Sequence, residues 1–133
     1  MNNYKTAGIV HKPLKKTGIV RIWGALIYSL EGLRFAYVNG AAFRQLTLAN
    51  IIASVVLIFL PISLVSKCIL FFAASSILVV ELLNFAIESV VDLASPEYHD
   101  LAKCAKDLAS AAVLISIAIA IILWILLLSF NIA

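Results

Sequence analysis

Apolar and polar residues alternate differently in successive parts of this chain. From Gly18 to about Asn39, apolar residues recur every three to four positions, while Arg21, Ser29 and Glu31 occupy the other side. This helical periodicity with a polar face predicts an amphipathic helix that lies in a membrane interface. A soluble amphipathic helix packed on its own protein is the alternative interpretation.

Three later segments are almost continuously apolar, and each is long enough to cross a hydrocarbon core of about 30 Å. They predict membrane spans at about 46–65, 68–91 and 108–132. Ser66–Lys67 is expected to be a minimal turn between the first two spans, and Ser95–Glu97 reads as the start of a helix in the polar connection that follows. The pattern therefore predicts an all-α membrane protein with one amphipathic interfacial helix and three transmembrane helices.

Composition supports the membrane class. Hydrophobic residues make up 64% of the 133-residue chain, charged residues make up only 13%, and the mean hydropathy is +1.10. A soluble domain of this size could not bury so much apolar surface. We expect residues 1–17 to be a flexible basic tail and residues 18–133 to form a single membrane-embedded domain.

The distribution of charge predicts orientation rather than a nucleic-acid partner. The net charge is +3, and most basic residues precede the first span. No cluster of cations interleaved with accessible aromatic residues is present, so binding to nucleic acid is not expected. Lys and Arg are concentrated in the N-terminal part and in the 92–106 connection, which places both on the cytoplasmic side.

The second predicted span contains a polar stripe formed by Glu81, Asn84 and Glu88. Their spacing of i, i+3 and i+7 puts the three side chains on one face of a helix. An acidic residue at the centre of a membrane costs roughly 2.5–3.5 kcal/mol, so the stripe must face protein or a wet cavity. Hydrogen bonding that only joins helices is the structural alternative, whereas intramembrane ionisable groups more often indicate a functional site.

A second group of polar residues precedes the third span. Lys106 and Asp107 could be a membrane anchor and a helix cap. Close to Glu88, however, Lys106 would offer a cation to a phosphate, and the carboxylates would offer oxygen ligands to Mg²⁺. Glu97 and His99 lie in the same connection. The sequence contains neither a P-loop nor a protein-kinase motif, so any nucleotide chemistry would use another scaffold.

Three stretches together resemble the bacterial diacylglycerol kinase family: GLRFAYVNGAAFRQ, ELLNFAIESVVD and EYHDLAKCAKDLASAAVLI. The resemblance covers roughly residues 19–130, and bacterial undecaprenol kinases share the same core. It implies a homotrimeric lipid kinase of the bacterial inner membrane, with a cytoplasmic surface helix and active sites between subunits. There the γ-phosphate of MgATP would pass to the primary hydroxyl of diacylglycerol, giving phosphatidic acid.

The resemblance also implies a role for each matching residue. Glu81 would be the base for the lipid hydroxyl, Asn84 would bond substrate or phosphate, and Glu88 would bind the metal. The nucleotide-binding residues that it implies are Glu88, Lys106, Asp107, Glu97, His99 and Arg21.

At two positions this chain departs from the family pattern. The family usually has a glutamate at the position of Gly40, where it joins the counterpart of Glu88 in binding metal, and often a second acid at the position of Leu46. Glycine has no side chain with which to bind a metal. We therefore expect Gly40→Glu to lower the Mg²⁺ concentration needed for half-maximal activity.

Four functions follow from these observations. The first is a diacylglycerol kinase, and the second is an undecaprenol kinase. The third is a catalytically weakened homologue that persists as an assembly or lipid-binding protein. The fourth is a small transporter that uses Glu81 and Glu88 as a proton relay. A transporter would need a polar path to the far side, and the other two spans offer only scattered Ser, Thr and Asn.

Overall fold

The computed structural model describes residues 18–132, so the predicted basic tail lies outside the described residues. Within that range all regular structure is helical, which confirms the predicted all-α class. The four helices are α1 (Ile19–Asn39), α2 (Ala41–Phe59), α3 (Leu64–Ala94) and α4 (Asp100–Ile132).

The chain divides into two units, one ending at Arg34 and the other beginning at Phe35. The described part of the first unit consists of the N-terminal turns of α1. Large apolar side chains such as Ile22 and Trp23 are 70% and 64% exposed there. A helix with uncovered apolar side chains suits contact with lipid.

The second unit contains the last turn of α1 and the three long helices. The turn between α2 and α3 lies at residues 60–63, so the prediction of a turn at Ser66–Lys67 was wrong. Pro61 cannot continue a helix, and Ser63 caps the next one by accepting a hydrogen bond from the backbone N–H of Ser66 at 3.1 Å. These two local signals outweigh the hydropathy pattern and end α2 early.

The connection between α3 and α4 also differs from the prediction. Residues Ser95–Glu97 form an irregular turn, and α4 begins at Asp100. The ring Nδ1 of His99 accepts a hydrogen bond from the backbone N–H of Leu101 at 3.2 Å, and the carbonyl of His99 accepts one from Lys103. His99 therefore acts as the helix cap that sequence reasoning had assigned to the Ser-Pro-Glu motif.

Three helices, α2, α3 and the Asp100–Asn131 part of α4, are long and apolar enough to cross a membrane. At 1.5 Å per residue, the 31-residue α3 is about 46 Å long, which exceeds a hydrocarbon core of about 30 Å. One end of α3 can therefore extend beyond the core. Few residues of these helices are buried within the chain, so their apolar surfaces are available to lipid or to further copies.

A small core and a polar cluster join α2, α3 and α4 at the end of α3 farthest from Glu88. The core centres on Leu70, which is fully buried beside Leu57. Next to it lies the far-end cluster, formed by Ser63, Ser66 and Asn131. The hydroxyl oxygens of Ser63 and Ser66 are 2.8 Å apart, and Asn131 Nδ2 donates to Ser66 Oγ at 3.2 Å. These bonds tie the start of α3 to the end of α4.

Candidate active site

The polar stripe lines a cleft, as its helical spacing predicted. Glu81 and Asn84 are buried, with exposures of 5% and 9%, and Glu88 is partly exposed. The cleft has a volume of about 530 Å³. We call this cleft the polar cleft. Its other walls are residues 39–42 and a face of α4 that includes Ser110.

Asn84 lies between the two glutamates of the polar stripe. Its Nδ2 donates to Glu88 Oε1 at 3.3 Å, which orients that carboxylate. Its Oδ1 is buried and has no hydrogen-bond partner among the described residues. A buried acceptor without a donor costs free energy, so a group with that property in a folded protein needs an explanation. A substrate donor or a cation would supply one.

Gly40 lies in the cleft wall at a position that has no room for a side chain. Its backbone N–H donates to the carbonyl of Ala36 at 2.7 Å, and a Cβ built on Gly40 would lie only 2.7 Å from that same oxygen. Any side chain at this position therefore requires the backbone to move. The glycine at the position where the family usually has a glutamate is thus built into the local packing.

A second cleft, the loop cleft, lies between the end of α3 and the start of α4. It is lined by four of the predicted nucleotide-binding residues, namely Glu97, His99, Lys106 and Asp107. Its volume is about 420 Å³. The structure therefore divides the predicted site residues other than Arg21 into two groups, one in each cleft.

Both lysines that line the loop cleft form ion pairs. Lys106 Nζ lies 2.8 Å from Asp92 Oδ1, and Lys103 Nζ lies 2.6 Å from Asp107 Oδ2. All four groups are substantially exposed, so these pairs add little to stability and can exchange partners when an anion arrives. Lys106 is thus paired with Asp92 rather than with Glu88.

Sequence reasoning missed several residues of the two clefts. Asp92 follows Glu88 by four positions and Ser110 follows Lys106 by four, so helical spacing could have identified both. Lys103 precedes Asp107 by the same interval. Arg21, by contrast, is an exposed residue in the first turn of α1 within the other unit, and its assignment to the nucleotide stays a prediction.

The carboxylates of the polar cleft are suited to Mg²⁺ only if the ion also binds phosphate oxygens. Among the described residues, no three His, Cys, Asp or Glu side chains are grouped so as to hold a metal. Mg²⁺, however, usually keeps several waters and takes one or two carboxylates together with phosphate oxygens of the substrate. Glu88, oriented by Asn84, can supply such a carboxylate.

Comparison with known proteins shows the family of this chain. The prokaryotic diacylglycerol kinase family matches residues 27–128. A diacylglycerol kinase from Escherichia coli K12 is 46% identical over 112 residues, which covers 84% of this chain and 92% of that protein. Diacylglycerol kinases from Pseudomonas aeruginosa and Helicobacter pylori are 40% and 38% identical, over 82% and 84% of this chain and 89% and 88% of their own lengths. This chain therefore belongs to the prokaryotic diacylglycerol kinase family.

Proposed function

We propose that this protein transfers the γ-phosphate of ATP to the primary hydroxyl of diacylglycerol and so forms phosphatidic acid. The observation that carries the proposal is the placement of two carboxylates at different depths in one cleft. Glu81 is buried within the apolar part of α3, and Glu88 is partly exposed two turns away. At 1.5 Å per residue, their positions are separated by about 10 Å along the helix axis.

This difference in depth suits two substrates that arrive from different phases. Diacylglycerol has its hydroxyl at the boundary of the hydrocarbon, within reach of a carboxylate inside the span. ATP arrives from water and would meet Glu88 and the loop cleft first. The polar cleft thus offers a place where the acceptor and the donor can meet.

In the proposed reaction the hydroxyl oxygen of diacylglycerol forms a bond to the γ-phosphorus of ATP. The bond from that phosphorus to the bridging oxygen breaks and leaves ADP, while Glu81 takes the proton of the hydroxyl. Phosphoryl transfer of this kind depends mainly on positioning and on charge neutralisation, so a small number of side chains can support it.

The remaining residues hold the donor. Glu88 would bind the Mg²⁺ that accompanies ATP, and this ion would neutralise charge on the phosphates when bound. Asn84 would bond the substrate or a phosphate. Lys106 would leave Asp92 to contact a phosphate, and Asp107, Glu97 and His99 would contact the rest of the nucleotide. Arg21 is assigned to the nucleotide by the family resemblance alone.

The family resemblance and the pattern of charge support the proposed setting. We place the protein in the bacterial inner membrane with the N-terminus and the α3–α4 connection in the cytoplasm, because both carry Lys and Arg. We further propose a homotrimer, in which neighbouring copies would cover part of the apolar surface that each chain leaves exposed.

The test uses purified full-length protein in mixed micelles with γ-labelled ATP and Mg²⁺. Diacylglycerol and undecaprenol are offered in parallel, and label in each lipid product is counted. The proposal predicts label in phosphatidic acid. Preferential label in the polyprenol phosphate would replace the proposed acceptor while keeping the lipid kinase chemistry.

Absence of label in both lipids, from protein that is folded and oligomeric, would contradict the kinase proposal. That result would favour a catalytically weakened homologue. A flux of protons through reconstituted vesicles, abolished by Glu81→Gln, would instead favour the transporter.

A further inference from the structure

One wall of the polar cleft is formed by residues 39–42, none of which is an acid or a base. This wall is part of the α1–α2 corner, which we define as residues 35–44. The corner includes the last turn of α1 and the first turn of α2, and both belong to the same compact unit as the polar stripe. Anything that fixes the corner also fixes the shape of the cleft.

Arg44 fixes the end of α1 from outside that helix. The last carbonyl groups of a helix have no partner within it. Arg44 Nη1 donates to the carbonyl of Tyr37 at 3.1 Å and to that of Val38 at 2.9 Å. A guanidinium at this position also interacts favourably with the negative end of the helix dipole.

Two neighbours complete the set of bonds at the helix end. The side-chain Nδ2 of Asn39 donates to the carbonyl of Phe35 at 2.9 Å, and the N–H of Gly40 donates to that of Ala36 at 2.7 Å. Four consecutive carbonyl groups, from Phe35 to Val38, are therefore held by groups of residues 39–44. Asn39 and Gly40 belong both to this set and to the wall of the cleft.

The corner is also packed against α3 beside the polar stripe. The ring centroids of Phe35 and Phe85 are 5.9 Å apart. Phe85 follows Asn84 in the chain and lines the cleft. Ala36 and Phe43 are buried, with exposures of 2% and 6%. A shift of the last turn of α1 would therefore move one wall of the cleft that Asn84 and Glu88 also line.

We propose that Arg44 is a positioning residue, which sets the width of the polar cleft at its Glu88 end by holding the last turn of α1. The proposal rests on the proposed kinase function, since it concerns how the nucleotide phosphates fit that end of the cleft. Arg44 itself is exposed and, within residues 18–132, its side chain donates to the carbonyl groups of Tyr37 and Val38, so its replacement leaves the buried packing in place.

The test compares Arg44→Gln and Arg44→Lys with the wild type in steady-state kinetics, with MgATP and diacylglycerol varied separately. For Arg44→Gln we expect the KM for MgATP to rise roughly five- to tenfold, because two hydrogen bonds that hold one wall are weakened. The KM for diacylglycerol should stay within about twofold, because the acceptor lies at the deeper, Glu81 end. Arg44→Lys should restore most of the affinity, because an ammonium can also donate to both carbonyl groups and keeps the charge.

The chain offers a matched control at its other corner. Lys67 Nζ donates to the carbonyl of Ile58 at 3.1 Å, near the end of α2 and far from the polar cleft. Lys67→Gln removes the same kind of cap, and we expect both KM values to remain those of the wild type.

A second readout does not depend on turnover. Binding of Mn²⁺ with a non-hydrolysable ATP analogue, followed by electron paramagnetic resonance, should weaken in Arg44→Gln and stay unchanged in Lys67→Gln. Unchanged binding and unchanged KM values in Arg44→Gln would overturn the positioning role, and so would an equal rise of both KM values. If the wild type phosphorylates no lipid, the proposed function fails, while the binding comparison still decides whether Arg44 shapes the cleft.

Discussion

The same helix, α3, takes part in two polar clusters, each with buried members, that differ in how well their groups are paired. In the far-end cluster, Ser66 is bonded both to Ser63 and to Asn131, and all of these groups are neutral. In the polar stripe, Glu81 is buried and ionisable, and Asn84 Oδ1 has no partner among the described residues. Neutral, fully bonded groups join helices at small energetic cost, whereas acidic and unpaired groups are destabilising and need a functional reason.

The comparison also distinguishes how the two clusters respond to change. Removal of a hydroxyl from the far-end cluster should weaken the fold without altering chemistry. Removal of a charge from the polar stripe should stabilise the fold and impair the chemistry, because it removes a buried ionisable group that also takes part in the reaction. Substitutions of Glu81 and Ser66 test this contrast, and two substitutions of Gly40 test the wall that faces the polar stripe.

The largest effect is expected from Glu81→Gln. The amide keeps the size of the side chain but cannot take the proton of the lipid hydroxyl, so kcat should fall by roughly 10²–10⁴-fold. The measurement is the initial rate of label transfer to diacylglycerol. An elution volume in detergent equal to that of the wild type serves as the control, and loss of the oligomer instead of the rate would make Glu81 a structural residue.

An intermediate effect is expected at Gly40. Gly40→Ala places a Cβ about 2.7 Å from the carbonyl oxygen of Ala36, so the corner must shift and the apparent affinity for MgATP should fall several-fold. Gly40→Glu carries the same Cβ and adds a carboxylate to the cleft. Relative to Gly40→Ala, it should therefore need less Mg²⁺ for half-maximal activity.

Gly40→Glu is compared with Gly40→Ala rather than with the wild type alone, because both variants carry the same steric change. The measurement is a Mg²⁺ titration of both variants and the wild type at a fixed ATP concentration. Identical Mg²⁺ dependence in Gly40→Ala and Gly40→Glu would show that position 40 does not bind metal in this protein, whatever the family pattern.

The smallest effect on activity is expected from Ser66→Ala. This change removes the hydroxyl that accepts from Asn131 and contacts Ser63, so it should destabilise the fold by about 0.5–1.5 kcal/mol per hydrogen bond, or less within a membrane. The thermal midpoint in detergent should fall, while both KM values stay unchanged. A large loss of kcat with an unchanged midpoint would break the contrast between the two clusters.

Much of the fold and part of the site could be predicted from periodicity alone. Hydropathy identified three long apolar helices, and helical spacing placed Glu81, Asn84 and Glu88 on one face. The prediction was wrong where individual residues end a helix within an apolar segment. Pro61 and the cap at Ser63 place the turn between α2 and α3 upstream of Ser66–Lys67.

The contacts of the α1–α2 corner could not be predicted in the same way. Arg44 reaches carbonyl groups six and seven positions earlier, across a change of helix, and no helical repeat indicates such a contact. The close approach of Gly40 to Ala36 depends on the extended backbone of Gly40, where α1 ends and α2 begins. His99 gave no periodic signal either, because its ring caps α4 through a backbone N–H two residues later.

The most direct test of the central claim combines two readouts on one preparation of Glu88→Gln. The variant is purified beside the wild type, its oligomeric size is measured in detergent, and transfer of label from ATP to diacylglycerol is counted on the same sample. The account predicts an unchanged size and a fall in kcat/KM of roughly 10²–10³-fold, which is typical when one preorganised contact to the transition state is lost. A variant that keeps its activity, or that loses activity only because the assembly dissociates, would contradict the claim that the polar stripe is a catalytic site.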